Sequence, residues 1–309
     1  MYLAKVQSME LDESIAKALN ISLENKMVFP KSKRAWTDDT AVVDMIQTCR
    51  DENDFTLISE LFHQLNDNIV DGAKSYELLC EMANVIQRNE PAGDNTALCV
   101  MRTKNDKDSD GSQQIINELK IALEMNNRFK YGYSSVCFED IERLYNKGYR
   151  HFIVIDDFIG SGKTVNARYK YFQERHLQGA TIGFYFLAGM AKGISYCKNR
   201  NIPVHCCKIM HKGINGHFRK EELLQRIRIM RYFESLLGNK SGTAELKKHT
   251  FGYGYAEALY CRQFGNIPNS VFPIFWWNKN IDGSDRKTVF RRVQDGYSKT
   301  EKTDIGGFV

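Results

Sequence analysis

Four apolar residues in succession, Phe152-Ile153-Val154-Ile155, lead straight into two acids, Asp156-Asp157, and then into a short run with glycine at 160 and 162. No other stretch of the chain restricts the fold as tightly. A half-solvated strand alternates polar and apolar side chains. An unbroken apolar run needs cover on both faces, which is the condition of a strand inside a parallel α/β sheet. Ligands of such sheets gather beyond the carboxyl ends of the strands, where Asp156 and Asp157 fall. Gly160 and Gly162 free the backbone so that N–H groups can approach an anion. Ser161 and Thr164 add hydroxyls and Lys163 a cation. The helix expected over 165–175 adds its positive N-terminal end. The segment reads as a phosphate cradle beside two carboxylates.

The flanking chain has the matching rhythm. Short apolar strands are expected at 96–101, 181–187 and 204–209. Helical patterns are expected at 112–125, 138–147 and 189–199, with loops at 102–111 and 126–135. Strands alternating with helices predict a mostly parallel sheet with covered faces. A turn cluster at Pro91-Ala92-Gly93-Asp94 separates this part from a helical first third, with apolar stripes through Phe55, Ile58, Leu61, Phe62 and Leu65 and through Tyr76, Leu79, Met82 and Ile86. The expected division is a helical N-terminal extension over 1–92, an α/β domain over 93–293 and a polar tail over 294–309. A long helix over 219–237 has its stripe at Leu223, Ile227, Met230, Phe233 and Leu237, with Arg226, Arg228 and Arg231 expected on its solvated face.

Composition narrows the setting. The 309 residues are 42% hydrophobic and 26% charged, which suits a chain with a sizeable core, and the net charge of +5 suits anionic ligands. No run approaches the ~18 apolar residues of a membrane span, and Glu10, Asp12 and Glu13 make the start unlike a signal peptide. The eight cysteines include no C-x-x-C pair and read as buried thiols of a cytoplasmic protein. His205, Cys206, Cys207 and His211 have no common zinc-ligand spacing, so no metal site is assigned to them.

Two phosphate chemistries compete for the motif. Gly162-Lys163-Thr164 supplies the second half of a nucleotide-binding P-loop, but Asp157 stands where that pattern has its first glycine, and adjacent acids repel a triphosphate. The whole run FIVIDDFIGSGKT resembles instead the type I phosphoribosyltransferase signature, from which only Phe158 and Gly160 depart mildly. The resemblance implies that Asp156 and Asp157 address the ribose hydroxyls of 5-phosphoribosyl 1-pyrophosphate (PRPP). Gly160, Ser161, Gly162, Lys163 and Thr164 take its 5′-phosphate. By the same resemblance Arg102, Thr103 and Lys104 follow an earlier strand as the pyrophosphate loop, Mg2+ accompanies the pyrophosphate, and 126–135 is a mobile lid.

Further stretches extend the likeness: Gly252-Tyr253-Gly254, Ile267-Pro268-Asn269-Ser270, Pro273-Ile274-Phe275-Trp276-Trp277 and Phe290-Arg291-Arg292. Over about 95–293 the chain is similar to a divergent phosphoribosyltransferase-like family of bacterial conflict systems, including anti-phage retrons. That resemblance implies an effector, or toxin, that transfers phosphoribose to an acceptor. It also implies partners in a defence complex: a reverse transcriptase, a regulatory DNA-binding protein and associated nucleic acid. A non-catalytic sensing or scaffold subunit is the alternative, and a P-loop-like NTPase the second. Trp276-Trp277 is read as a core pair, with base stacking as the other option.

Overall fold

The computed structural model describes residues 39–103, 111–127, 129–134, 137–241, 244–263, 265–290 and 292. Helices α1 (Asp39–Gln47) and α2 (Glu52–Asp67) come first, then the two-residue strand β1 (Ile69–Val70) and helix α3 (Gly72–Asn89). The α/β part follows: β2 (Gly93–Val100), α4 (Gly111–Ala122), β3 (Tyr131–Ser134), α5 (Asp140–Asn146), β4 (His151–Ile159), α6 (Lys163–Glu174), β5 (Thr181–Met190), α7 (Ala191–Lys198), β6 (Val204–Met210) and α8 (Lys220–Ser235).

Five strands form one sheet in the order β3-β2-β4-β5-β6, and every pair is parallel. The apolar run of β4 is explained at once. Phe152 and Val154 point into one layer with Ala97, Cys99, Phe184 and Phe186. Ile153 and Ile155 point into the other with Leu98, Val100, Tyr185 and Leu187. Ile141 and Leu144 of α5, Val165 of α6 and Ile194 of α7 cover the first face. Leu79, Met82 and Ile86 of α3 and Ile115, Ile116 and Leu119 of α4 cover the second. This is a five-stranded parallel sheet covered by helices on both faces, as the alternation of strands and helices predicts. From β2 the chain steps outward to β3, then returns to β4 and steps the other way, so the strand order reverses between β2 and β4. That reversal is the switch point at which open sheets bind ligands.

The second layer continues without a break into the first third of the chain. Ile58, Leu61, Phe62 and Leu65 of α2 are buried in the same cluster as Ile153 and Trp277, whereas Tyr76 of the α3 stripe is 49% exposed. Ile69 and Val70 pair in parallel with Cys261 and Arg262, so the two ends of the fold are stitched together. Trp276 and Trp277 are buried, and their indole N–H groups donate to Val271 O at 3.0 Å and Gly238 O at 2.9 Å, so base stacking is not open to them.

The structure corrects the sequence reading in two places. Arg226 does not lie on a solvated face: it is 6% exposed, donates to Asn53 O at 3.1 Å and meets Glu60 at 3.5 Å, because α8 packs over α2. Of the stretch 126–135 expected as a loop, residues 131–134 are the edge strand β3, and Tyr149 holds them by donating from its hydroxyl to Gly132 O at 3.2 Å.

Candidate functional site

β4 is the longest-reaching strand on the β2 side. Val100, the last residue of β2, stands opposite Ile155, and β4 then runs on through Asp156 to Ile159 while still paired with β5. The two acids therefore lie inside the strand and at the switch point, with no β2 neighbour beyond them. Both are half-buried, and the Asp157 N–H donates to Asp156 Oδ1 at 2.9 Å, which fixes the first carboxylate against the second residue's backbone. Arg102 follows β2 directly and is half-buried. Its carbonyl accepts the Phe138 N–H at 2.7 Å, and Arg168 of α6 donates to Met101 O at 3.3 Å. Thus the turn that leads into α5, and α6 itself, both hold the end of β2 beside the acids. Lys104 lies outside the described residues.

Three residues, Gly160, Ser161 and Gly162, join β4 to α6. Gly162 is left-handed at φ 76°, its carbonyl accepts the Asn166 N–H at 3.0 Å, and α6 starts at once. The N–H groups of Lys163, Thr164 and Val165 open the helix and have no partner a turn earlier within it. The Ser161 hydroxyl reaches the first of them at 3.5 Å. Lys163 and Thr164 are exposed, Ser161 is half-buried, and buried Val165 anchors the turn. A short nest of donors, a cation and two hydroxyls stands next to two carboxylates.

The glycines serve a purpose that the motif does not reveal. A Cβ on Gly160 would strike the Ser270 hydroxyl, and one on Gly162 would lie 2.6 Å from Gly193 O and 3.0 Å from Cys197 Sγ. Their Cα atoms face protein, so the turn is pressed between α7 and the C-terminal segment. Gly254 closes the contact from outside, where an added Cβ would sit 3.0 Å from that of Ser161. Gly254 and Ser270 belong to stretches quoted for the family likeness but were given no place at the site, and Gly193 is a site-building residue that sequence reasoning missed. The only local hint was a glycine in the first turn of a helix directly after a strand. Tyr260 was missed as well. It stacks on Phe158 with centroids 4.9 Å apart, and its phenol is pushed well above its ordinary range, first by burial and then by the charge of Asp157.

A cavity on the sheet's flank, lined by residues including Glu81, Tyr185, His205, Cys206 and Cys207, holds His205 flat against Tyr185 at 4.9 Å. Burial raises both thiols, Cys206 to about 12 and Cys207 further, so neither is a ready ligand or nucleophile. Among the described residues, no group of three or more His, Cys, Asp or Glu side chains is gathered as a metal site, and no helix is long and apolar enough to cross a membrane.

The PRTase-CE family model matches residues 58–292. No curated protein matches the sequence. Among solved structures the chain is similar to the xanthine-guanine-hypoxanthine phosphoribosyltransferase of Helicobacter pylori, at 11% identity and TM-score 0.29, over 47% of this chain and 89% of that one. It is similar to the orotate phosphoribosyltransferase of Aeropyrum pernix at 16% identity and TM-score 0.30, over 44% and 70%. A hypothetical protein from Neisseria gonorrhoeae with bound ppGpp aligns at 11% identity and TM-score 0.32, over 53% and 97%.

Proposed function

Since this chain belongs to the PRTase-CE family, we propose that it binds PRPP at the end of β4 and transfers the phosphoribosyl group to an acceptor. One observation carries the reading: two carboxylates inside the strand, then a three-residue turn into a helix N-terminus. Carboxylates accept hydrogen bonds from the vicinal hydroxyls of a ribose. The N–H groups at the start of α6, with Ser161 and Thr164, donate to the 5′-phosphate, and Lys163 adds charge. Arg102 lies on the pyrophosphate side, and Lys104 is assigned there by the motif. In the transfer the bond from the anomeric carbon to pyrophosphate breaks, pyrophosphate leaves with the electron pair, and the acceptor's lone pair forms the new bond. Such a step gains most from positioning and charge neutralisation. The hard oxygens of Asp156 and Asp157 suit Mg2+ only together with ligand oxygens, since two carboxylates alone fill a minority of its six positions. When bound, the ion neutralises charge on the departing pyrophosphate.

The P-loop alternative is weakened by the turn itself. A P-loop wraps a triphosphate from its first glycine, and here that position is Asp157, still in β4. The motif resemblance extends the proposal to an effector of a bacterial defence complex, in which partner proteins and nucleic acid restrain the transfer. The test is thermal stabilisation by PRPP with Mg2+ against ATP with Mg2+, read by mass action. PRPP is expected to raise the melting temperature and ATP to do so less. A rise with ATP and none with PRPP overturns the assignment in favour of an NTPase.

A further inference from the structure

Charge is not spread evenly along the chain. Residues 158–220 contain eleven Lys and Arg against one carboxylate, Glu174, and from 175 to 220 there is no acid at all. The stretch carries a formal charge of +10 and the rest of the chain −5. It spans α6, β5, α7 and β6, and the two strands take little of the charge, since Lys208 is their only Lys or Arg. Part of the remainder is engaged within the fold: Lys212 with Glu257 at 2.7 Å and Arg175 with Glu142 at 3.0 Å. Lys163 and Lys170 of α6, Lys192 of α7 and Arg200 just beyond it are exposed, and among the described residues none of them forms an ion pair.

Contacts gather these cations about the turn at 160–162. Lys163 opens α6, and Lys170, two turns on, shares its side of that helix. Lys192 stands in the first turn of α7 beside Gly193, whose carbonyl would lie 2.6 Å from a Cβ on Gly162. The same Cβ would lie 3.1 Å from the Tyr196 ring, and the Arg200 guanidinium sits 3.8 Å over that ring. From the C-terminal segment Gly254 meets Ser161, and its neighbours Tyr253 and Tyr255 are 40% and 62% exposed. Tyr255 is left-handed at φ 55°, so a costly backbone conformation holds an aromatic side chain in solvent beside the turn.

A single phosphate is satisfied by one cradle. Further unpaired cations on two helices around that cradle fit a ligand that carries phosphates in series. Exposed tyrosine rings, and a guanidinium held over a ring, offer stacking planes to unpaired bases, which a duplex keeps inside. We propose that α6, α7 and the turn at 251–257 form a binding surface for single-stranded nucleic acid, which runs across the phosphate turn. The surface goes beyond the PRPP reading and does not depend on it, since it is built from residues outside the acid pair.

The test is fluorescence anisotropy of a labelled oligothymidine of about 20 nucleotides with the full chain, over a series of salt concentrations. Two triple variants with the same change in net charge are compared. One is Lys170→Glu, Lys192→Glu and Arg200→Glu on the patch, and the other is Arg88→Glu, Lys240→Glu and Lys287→Glu away from it. The patch variant is expected to bind at least ~10-fold more weakly, and its plot of log affinity against log salt to be shallower by about 2, because each single-strand phosphate contact contributes about 0.7. The other triple variant should bind like the wild type, and a duplex of equal length should bind more weakly than the single strand. Equal losses in the two triple variants overturn the surface, since attraction is then a matter of net charge alone. A wild type that does not bind the oligonucleotide at about 0.15 M salt, or that prefers the duplex, also overturns it. Should the patch variant unfold in urea earlier than the wild type, Lys192→Gln alone decides: a loss of about threefold is expected, and unchanged affinity overturns the proposal.

Discussion

The turn at 160–162 and the turn at 251–257 lie against each other across Ser161, yet they are held in opposite ways. The first has one left-handed residue, Gly162, and is closed by a helix that begins immediately. The second has five in seven: Phe251 at φ 54°, Gly252 at 76°, Gly254 at 70°, Tyr255 at 55° and Glu257 at 52°. Three of these are not glycine, and such conformations cost about 1–3 kcal/mol each unless the surroundings impose them. Here they do. Glu257 is buried and bonded to Lys212 Nζ at 2.7 Å, Ile214 N at 3.1 Å and Asn215 N at 2.8 Å. Gly252 is pressed against Ser270 O, and Glu234 accepts the Phe251 N–H at 2.7 Å. A turn built from local preference can be recognised by residue order. A turn built from distant contacts can be recognised only once those contacts exist.

The contrast predicts that stability resides in the second turn and binding in the first. Glu257→Ala should have the largest effect. It removes a buried carboxylate and leaves a half-buried ammonium and two main-chain donors unmet, so it should cost about 3 kcal/mol, the low end of the range for breaking a buried ion pair. Urea unfolding measures it. A loss below about 1 kcal/mol would mean that the turn is held elsewhere.

Asp156→Asn combined with Asp157→Asn should do the reverse. Charge-assisted bonds to hydroxyls are worth about 1.5–3 kcal/mol each, so PRPP affinity should fall by roughly a hundredfold or more. Unfolding should be little changed, because half-buried acids at a strand's open end carry little of the core. Normal binding by the folded double variant would move the ligand away from β4.

Glu234 gives the second turn a pH signature. Burial, outweighing the Phe251 N–H and then Arg231, raises its carboxyl from 4.5 to about 7. The folded chain thus holds this proton more tightly than the unfolded one. The stability tied to it is complete below pH 4.5, declines as pH rises and is lost above about 7. The slope is at most about 1.4 kcal/mol per pH unit, and the total at most about 3 kcal/mol. Unfolding measured from pH 5 to 8 should fall along this curve in the wild type. Glu234→Gln, which keeps an acceptor for Phe251, should flatten it. Parallel curves for the two proteins would remove Glu234 from the account.

The smallest effect is expected at Lys163. It is exposed, and the anion is held chiefly by main-chain donors at the start of α6, so Lys163→Ala should weaken PRPP binding about tenfold, or 1.4 kcal/mol. Calorimetry with PRPP and with ATP checks this. Complete loss of binding, with ATP as the preferred ligand, would give the lysine the indispensable role it has in NTPases.

The sequence by itself determined the sheet, the acids and the turn into α6. An apolar run of four, two adjacent acids and Gly-Ser-Gly-Lys-Thr are local instructions, and local instructions survive in any fold that buries the run. It also set the alternation that places β2, β4, β5 and β6 side by side. What only the tertiary structure decided is the far wall: Ser270 and Gly254 on the loop, Tyr260 stacked on Phe158, Arg262 paired with Glu118 some 140 residues away. It decided equally that α2 and α3 bury their stripes in the sheet's own second layer and that Arg226, charged and apparently solvated, is covered. The physical reason is range. Helix and strand periodicity depends on neighbours a few residues apart, whereas a left-handed non-glycine residue or a buried cation is tolerable only where distant parts of the chain converge to compensate it.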